Sequence, residues 1–300
     1  EPRWADDAGP NGLGENPNVR LEGYVSTCRK TAKQRRVPLV DHFAEWTAAR
    51  KDGVKLRDLT TDGCHPNPEG HKKLVASMLP TIRRVIGPEL KTRQKLRSGG
   101  KVRVVCFGDS VTGVYYHTGS RRAYTDILGI ALRRASPQAE VEMINAGISG
   151  HTTVNALARI DSDVLSHKPD LVTVMFGLND MTRVTLDAYR ANLTTIVAKC
   201  RAIGSEVVLA TPNCVVTTGS RPTEKLIQYC DVVREVGREL GVPVCDSYRE
   251  LDAVRAHGQF DWQLLMSDAI HPNMAGHKRL ATALAQTITG RRVSLDDVAS

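Results

Sequence analysis

No uninterrupted apolar run in the 300 residues approaches the ~20 that a helix needs to cross a bilayer. The opening stretch, residues 1–12, is polar and rich in helix breakers, so it does not read as the apolar core of a secretory signal. The chain begins with Glu1 rather than Met, which reads as a processed or truncated product and is compatible with a removed signal peptide. Seven cysteines lie scattered at 28, 64, 106, 200, 214, 230 and 245 with no C-x-x-C pair. That spacing suits neither a zinc site nor a dense disulfide framework and leans slightly toward a reduced, cytoplasmic compartment. Cys106 and Cys245 fall inside apolar runs and read as small core residues.

What is present is globular: 41% hydrophobic and 25% charged residues. The formal charge of +8 is uneven. Residues 1–100 hold 19 Lys+Arg against 12 Asp+Glu, and residues 101–300 hold 22 against 21. The basic clusters Arg29–Arg36 and Lys91–Lys101 are accounted for by a solvated helix face and a linker, and no nucleic-acid partner is expected.

The chain repeats itself. Val37-Pro38-Leu39-Val40-Asp41 matches Val242-Pro243-Val244-Cys245-Asp246. Asp62-Gly63-Cys64-His65-Pro66-Asn67 matches Asp268-Ala269-Ile270-His271-Pro272-Asn273. Gly70-His71-Lys72 matches Gly276-His277-Lys278, and Tyr24 matches Tyr229. The offset is near-constant, so the repeat unit is about one domain long, and residues 1–90 correspond only to its second half. Ser98-Gly99-Gly100 interrupts the chain before a strong strand pattern. The expected organisation is therefore a partial repeat at 1–92, a linker at 93–100, a complete domain at 101–290 and a tail at 291–300.

Within the complete domain, β-rich runs at Val102–Phe107, Val141–Ile144, Leu171–Phe176, Val207–Ala210 and Val242–Cys245 alternate with helix-periodic stretches. The latter are Tyr124–Arg134, Val154–Leu165, Leu186–Ile203 and Glu224–Leu240. Five strands with long crossovers predict an α/β fold whose parallel sheet is covered on both faces. Ligands collect at the carboxyl ends of such strands. Those ends carry Gly108-Asp109-Ser110, Asn145-Ala146-Gly147 and Gly177-Leu178-Asn179-Asp180, and the loop after strand five carries Asp268-Ala269-Ile270-His271.

These residues allow acyl transfer. A serine hydroxyl needs a base to take its proton, and His271 can be that base for Ser110. Asp268, three residues earlier, can hold the far imidazole nitrogen. The N–H groups of Ser110 and Gly147, with the Asn179 amide, can meet a tetrahedral oxyanion. Asp109 reads as shaping the serine turn, Asn145 and Asp180 as bracing loops, and His151 and His277 as helix-start and surface histidines. Tyr115, Tyr116 and His117 either line a pocket or pack beneath the loop, and Met181 and Arg183 are further pocket-wall candidates. No G-x-S-x-G elbow occurs, which argues against the α/β-hydrolase version of this chemistry.

Gly108-Asp109-Ser110-Val111, Gly147, Asn179 and Asp268-x-x-His271, in this order, resemble the signature blocks of the SGNH hydrolases, the GDSL esterase/lipase family. Val111 stands where the eponymous leucine is usual. The resemblance covers residues 101–290. It implies a flavodoxin-like three-layer α/β/α sandwich and ester hydrolysis through an acyl-enzyme. By it Ser110 is the nucleophile, His271 the base and Asp268 its orienter, with Ser110, Gly147 and Asn179 forming the oxyanion hole and no metal or organic cofactor. Residues 1–90 resemble the C-terminal half of a second such domain: a helix at Arg20–Gln34, a strand at Val37–Val40, the Asp62-x-x-His65 loop and a helix at Glu69–Val85. The expected substrate is a small-molecule ester, acetyl esters and acetylated carbohydrates first. An O-acyltransferase and a non-catalytic binding module remain as alternatives. The apolar side of the partial repeat needs a cover, so docking on the catalytic domain or a homo-oligomer is a further expectation.

Overall fold

The computed structural model describes residues 17–35, 37–86, 89–255 and 262–298. The chain divides into two compact units, Glu1–Ile86 and Gly87–Ser300. All seven cysteines are free thiols, and Cys106 and Cys245 are buried. Among the described residues no helix is long and apolar enough to cross a membrane.

The second unit is built on five parallel strands: β1 (Lys101–Gly108), β2 (Glu140–Gly147), β3 (Leu171–Met175), β4 (Glu206–Ala210) and β5 (Val244–Cys245). Their order is β2-β1-β3-β4-β5. Central strands in such a sheet are buried on both faces, which is why Val104 to Phe107 and Leu171 to Val174 run without polar alternation apart from Thr173. Register aligns the carboxyl ends, with Gly108 of β1 opposite both Gly147 of β2 and Met175 of β3. The strand order reverses between β1 and β3, and the crevice such a reversal opens lies beyond these ends. The long helices Tyr124–Ala135, Thr153–Asp163, Leu186–Ala202 and Thr223–Leu240 each lie within a few residues of their predicted limits. Together with Met274–Thr289 they cover the sheet and make the three-layer α/β sandwich that the sequence predicts.

Two expected connectors are part of this core. The stretch expected as a linker holds most of a helix, Lys91–Arg97, and begins its second unit earlier, at Gly87. Leu90 and Leu96 are buried, the N–H groups of Lys91 and Thr92 donate to the Glu206 carboxylate (both 2.7 Å), and Arg93 donates to the carbonyls of Thr287 and Ile288. The expected tail likewise packs, through buried Leu295 and Val298. Charged sequence concealed the apolar anchors in each case.

The first unit contains helices Pro17–Arg35, His42–Lys51 and Pro68–Ile86 and a 3-10 turn at Leu56–Leu59. Val37–Val40, expected as a strand, joins no ladder among the described residues. Its counterpart β5 is a strand because Leu209 and Ala210 of β4 pair with Val244 and Cys245. A strand is defined by its neighbour, and the described residues of the partial repeat supply none.

Candidate active site

Asp109 caps a single helical turn, Ser110–Gly113, its Oδ1 accepting the Val111 N–H at 3.0 Å. Burial pushes the Asp109 carboxyl up to about 7, which suits the turn-shaping role read from sequence. The turn presents Ser110 Oγ at 2.8 Å from His271 Nε2. On the far side of the ring, His271 Nδ1 donates to Asp268 Oδ2 at 2.8 Å. Asp268 Oδ1 also accepts the N–H groups of Ile270 (2.8 Å) and His271 (2.7 Å), so the loop closes on its own carboxylate. Burial raises the Asp268 carboxyl, but the Ile270 N–H and the His271 ring and N–H outweigh it and hold the group below the usual carboxylate range. With Nδ1 facing the carboxylate, Nε2 is left to accept the serine proton.

Gly147 is a glycine because the serine turn leaves no room there: a Cβ would lie 2.3 Å from the Gly113 nitrogen. Its N–H donates to Asn145 Oδ1 at 3.0 Å, so this expected oxyanion donor already has an acceptor. Asn179 is buried, and one of its amide hydrogens points to the His151 carbonyl at 3.1 Å, leaving the other. Arg221 reaches Leu178 O (3.0 Å) and Asn179 Oδ1 (3.4 Å) and fixes which way that amide faces. The Ser110 N–H belongs to the first helical turn, where N–H groups have no intrahelical acceptor.

Of the five pocket candidates, His117 lies nearest the chemistry. Its ring stacks on His271 with centroids 3.8 Å apart and planes at 10°. His117 Nδ1 lies 3.3 Å from Ser267 Oγ. Burial and then the charge of His271 lower the His117 pKa, favouring a neutral ring. Tyr115 hydroxyl accepts from Asn145 Nδ2 at 3.4 Å, whereas Tyr116 is 77% exposed beside His117. Met181 is fully buried in the core, and Arg183 is exposed with its guanidinium on the Gly150 carbonyl. Asp180 braces a loop as expected, accepting from the N–H and hydroxyl of Thr153. His277, expected at the surface, is buried: Tyr124 N–H donates to its Nδ1 at 2.8 Å, and burial pushes its pKa down to about 3.

His117, Asp268 and His271 bring possible metal-binding atoms within 4.8 Å of one another. The fit is poor. Parallel rings 3.8 Å apart direct their lone pairs side by side, so one ion cannot lie in both ring planes unless a ring turns.

A parallel sheet of this order, with a serine, an imidazole and a carboxylate in line at its carboxyl edge, defines a class of acyl hydrolases. The GDSL-like lipase/acylhydrolase family matches residues 106–279, and a second family description, GDSL-like lipase/acylhydrolase, matches residues 7–78. An acetylxylan esterase from Geobacillus stearothermophilus is 30% identical over 172 residues, covering 52% of this chain and 76% of that protein. An arylesterase from Vibrio mimicus is 25% identical, covering 62% of this chain and 88% of its own length. The crystal structure of Axe2, an acetylxylan esterase from G. stearothermophilus, superposes with a TM-score of 0.57 and 26% identity over 65% of this chain and 97% of that one. The chain belongs to the GDSL-like lipase/acylhydrolase family and is a carboxylic ester hydrolase.

Proposed function

We propose that this protein hydrolyses small acyl esters, acetyl esters of carbohydrates first, through an acyl-enzyme on Ser110. The observation that carries the reading is the line from Ser110 Oγ to His271 Nε2 and from His271 Nδ1 to Asp268, 2.8 Å at each step. Ser110 Oγ attacks the ester carbonyl while His271 takes its proton, and Asp268 stabilises the imidazolium. The oxyanion receives the Ser110 N–H and the second Asn179 amide hydrogen, with Gly147 N–H shared between it and Asn145. His271 then protonates the leaving alkoxide, and a water activated by the same ring releases the acid. The acetyl preference is supported by the similarity to an acetylxylan esterase, and Tyr116 offers an exposed ring beside the triad against which a sugar face can lie.

The test is hydrolysis of p-nitrophenyl esters from acetate to longer chains by wild type and Ser110→Ala. The expected result is a fall of ~10³ or more in the variant, with acetate the best substrate. Undiminished hydrolysis in Ser110→Ala overturns the reading. An acyltransferase reveals itself if an added sugar alcohol diverts the acyl group from water, and a silent binding module if neither protein turns over.

For the first unit we infer association with a second copy of the chain through Val75, Met78, Leu79 and Ile82, which are exposed on one helix. Sedimentation of wild type and Leu79→Glu tests this. A monomer in both refutes it.

A further inference from the structure

One cation touches two of the three segments that carry the oxyanion donors and, through His151, braces the third. Arg159, on the helix Thr153–Asp163, is only 10% exposed in its side chain, and its guanidinium lies 4.6 Å over the Phe107 ring. One terminal nitrogen donates to Gly108 O at 3.0 Å, and the other donates to Ala146 O at 2.8 Å and to Asp163 at 2.9 Å. Its Nε faces His151 Nδ1 at 3.1 Å.

Three of these acceptors adjoin the site. The Gly108 carbonyl precedes Asp109 and Ser110. The Ala146 carbonyl belongs to the same peptide group as the Gly147 N–H, so a cation on that oxygen fixes the plane of the N–H and polarises it. His151 carries the carbonyl that holds the Asn179 amide. The Gly108 carbonyl also receives the Ile148 N–H at 3.1 Å, which closes the link between the ends of β1 and β2.

We propose that Arg159 is the positioning residue of the oxyanion hole: its rigid fork sets the placement of the Ser110 and Gly147 donors and, through His151, that of Asn179. The inference rests on the catalytic reading of Ser110 given above. A planar guanidinium can serve several carbonyls in fixed directions at once, whereas a lysine supplies charge without the fork. An oxyanion forms only in the transition state, so losing this arrangement lowers kcat and leaves ground-state binding alone.

The experiment compares kcat and KM for p-nitrophenyl acetate in wild type, Arg159→Met, Arg159→Lys, His151→Ala and Ser110→Ala, each checked for folding by circular dichroism. Arg159→Met is expected to lose about 10²-fold in kcat, the scale of one missing oxyanion donor, with KM within about threefold. Arg159→Lys should fall between it and wild type. A structural role alone would lower the melting temperature and leave kcat of the folded variant unchanged, and that result overturns the inference. If Arg159→Met does not fold, His151→Ala severs one arm while keeping the guanidinium. A kcat several-fold down is then expected, and an unchanged kcat overturns the proposal. Full activity in Ser110→Ala breaks the underlying reading instead. An inactive Ser110→Ala beside a fully active Arg159→Met breaks this inference alone.

Discussion

The loops at Asp62–Asn67 and Asp268–Asn273 are built from the same hydrogen bonds. Asp62 Oδ1 accepts the Cys64 and His65 N–H groups at 2.9 and 2.7 Å, as Asp268 does those of Ile270 and His271. His65 Nδ1 meets Asp62 Oδ2 at 2.6 Å, as His271 meets Asp268 at 2.8 Å. Asn67 and Asn273 tie back to the carbonyls of Asp58 and Leu264. Upstream, Arg29 grips Asp41 with the two contacts by which Arg234 grips Asp246. The surroundings differ. The His65 side chain is 70% exposed, and that of His271 is 13% exposed. Tyr24 is 68% exposed where Tyr229 is 3%. Val75, Met78, Leu79 and Ile82 are exposed where Ala281, Leu284, Ala285 and Ile288 are buried. A short segment is enough to make an oriented imidazole. A site needs the sheet that brings a serine to it and covers the apolar faces around it.

The sharpest way to break that contrast is to remove each base in turn. His271→Ala should cost ~10³-fold or more in ester hydrolysis, while His65→Ala should leave the rate within about twofold. Comparable losses from both would mean that the first loop serves catalysis. Next come the glycines behind the loops. A Cβ at Gly276 would lie 2.5 Å from the Leu265 carbonyl oxygen, and one at Gly70 would lie 2.1 Å from that of Leu59, so either substitution must move its loop. Gly276→Ala is expected to lower kcat by up to about 10²-fold, because a small displacement of a catalytic group is enough. Gly70→Ala should leave kcat alone.

Equivalent core positions sharpen the comparison through stability. Leu284→Ala should cost about 2–5 kcal/mol in urea unfolding of the second unit. Met78→Ala, at the aligned position, should cost under about 1 kcal/mol. A large loss at Met78 would show that its face is covered in solution.

The smallest effect is a pH slope from buried His277. Its folded pKa of about 3 lies below the ordinary histidine value, so the unfolded chain binds the extra proton first as pH falls. Its contribution to stability is complete above the ordinary histidine pKa of about 6.5 and is lost progressively toward pH 3, at no more than about 1.4 kcal/mol per pH unit. The difference in stability between wild type and His277→Gln should therefore shrink as pH falls through that window. A difference independent of pH would count against a neutral, desolvated imidazole there.

The parallel sheet, its long helices and the seryl, imidazole and carboxylate positions were legible because each is signalled locally, by a β-rich run, a helical period or a short motif. Arg159 and Arg221 were not. A cation on a helix or in a loop reads as solvated until the strand ends it binds are known to lie beside it. Met181 was misread as a pocket wall, and His277 as a surface group, because residues next to a motif gave no sign of which way they face. Residues 93–100 looked like a linker because charge outnumbers their one buried apolar side chain, Leu96.

By itself the sequence determined the order of strands and helices, the repeat, and the Asp-x-x-His loops, whose geometry is fixed by contacts three residues or fewer apart. Only the tertiary structure brings the His271 imidazole to its serine. Ser110 and His271 lie 161 positions apart, and no local interaction spans such a separation. Their contact exists because β1 and β3 align their carboxyl ends in one sheet and the loop before the last helix returns to that edge. Among its described residues the first unit has no strand for Val37–Val40 to pair with, and so no such edge.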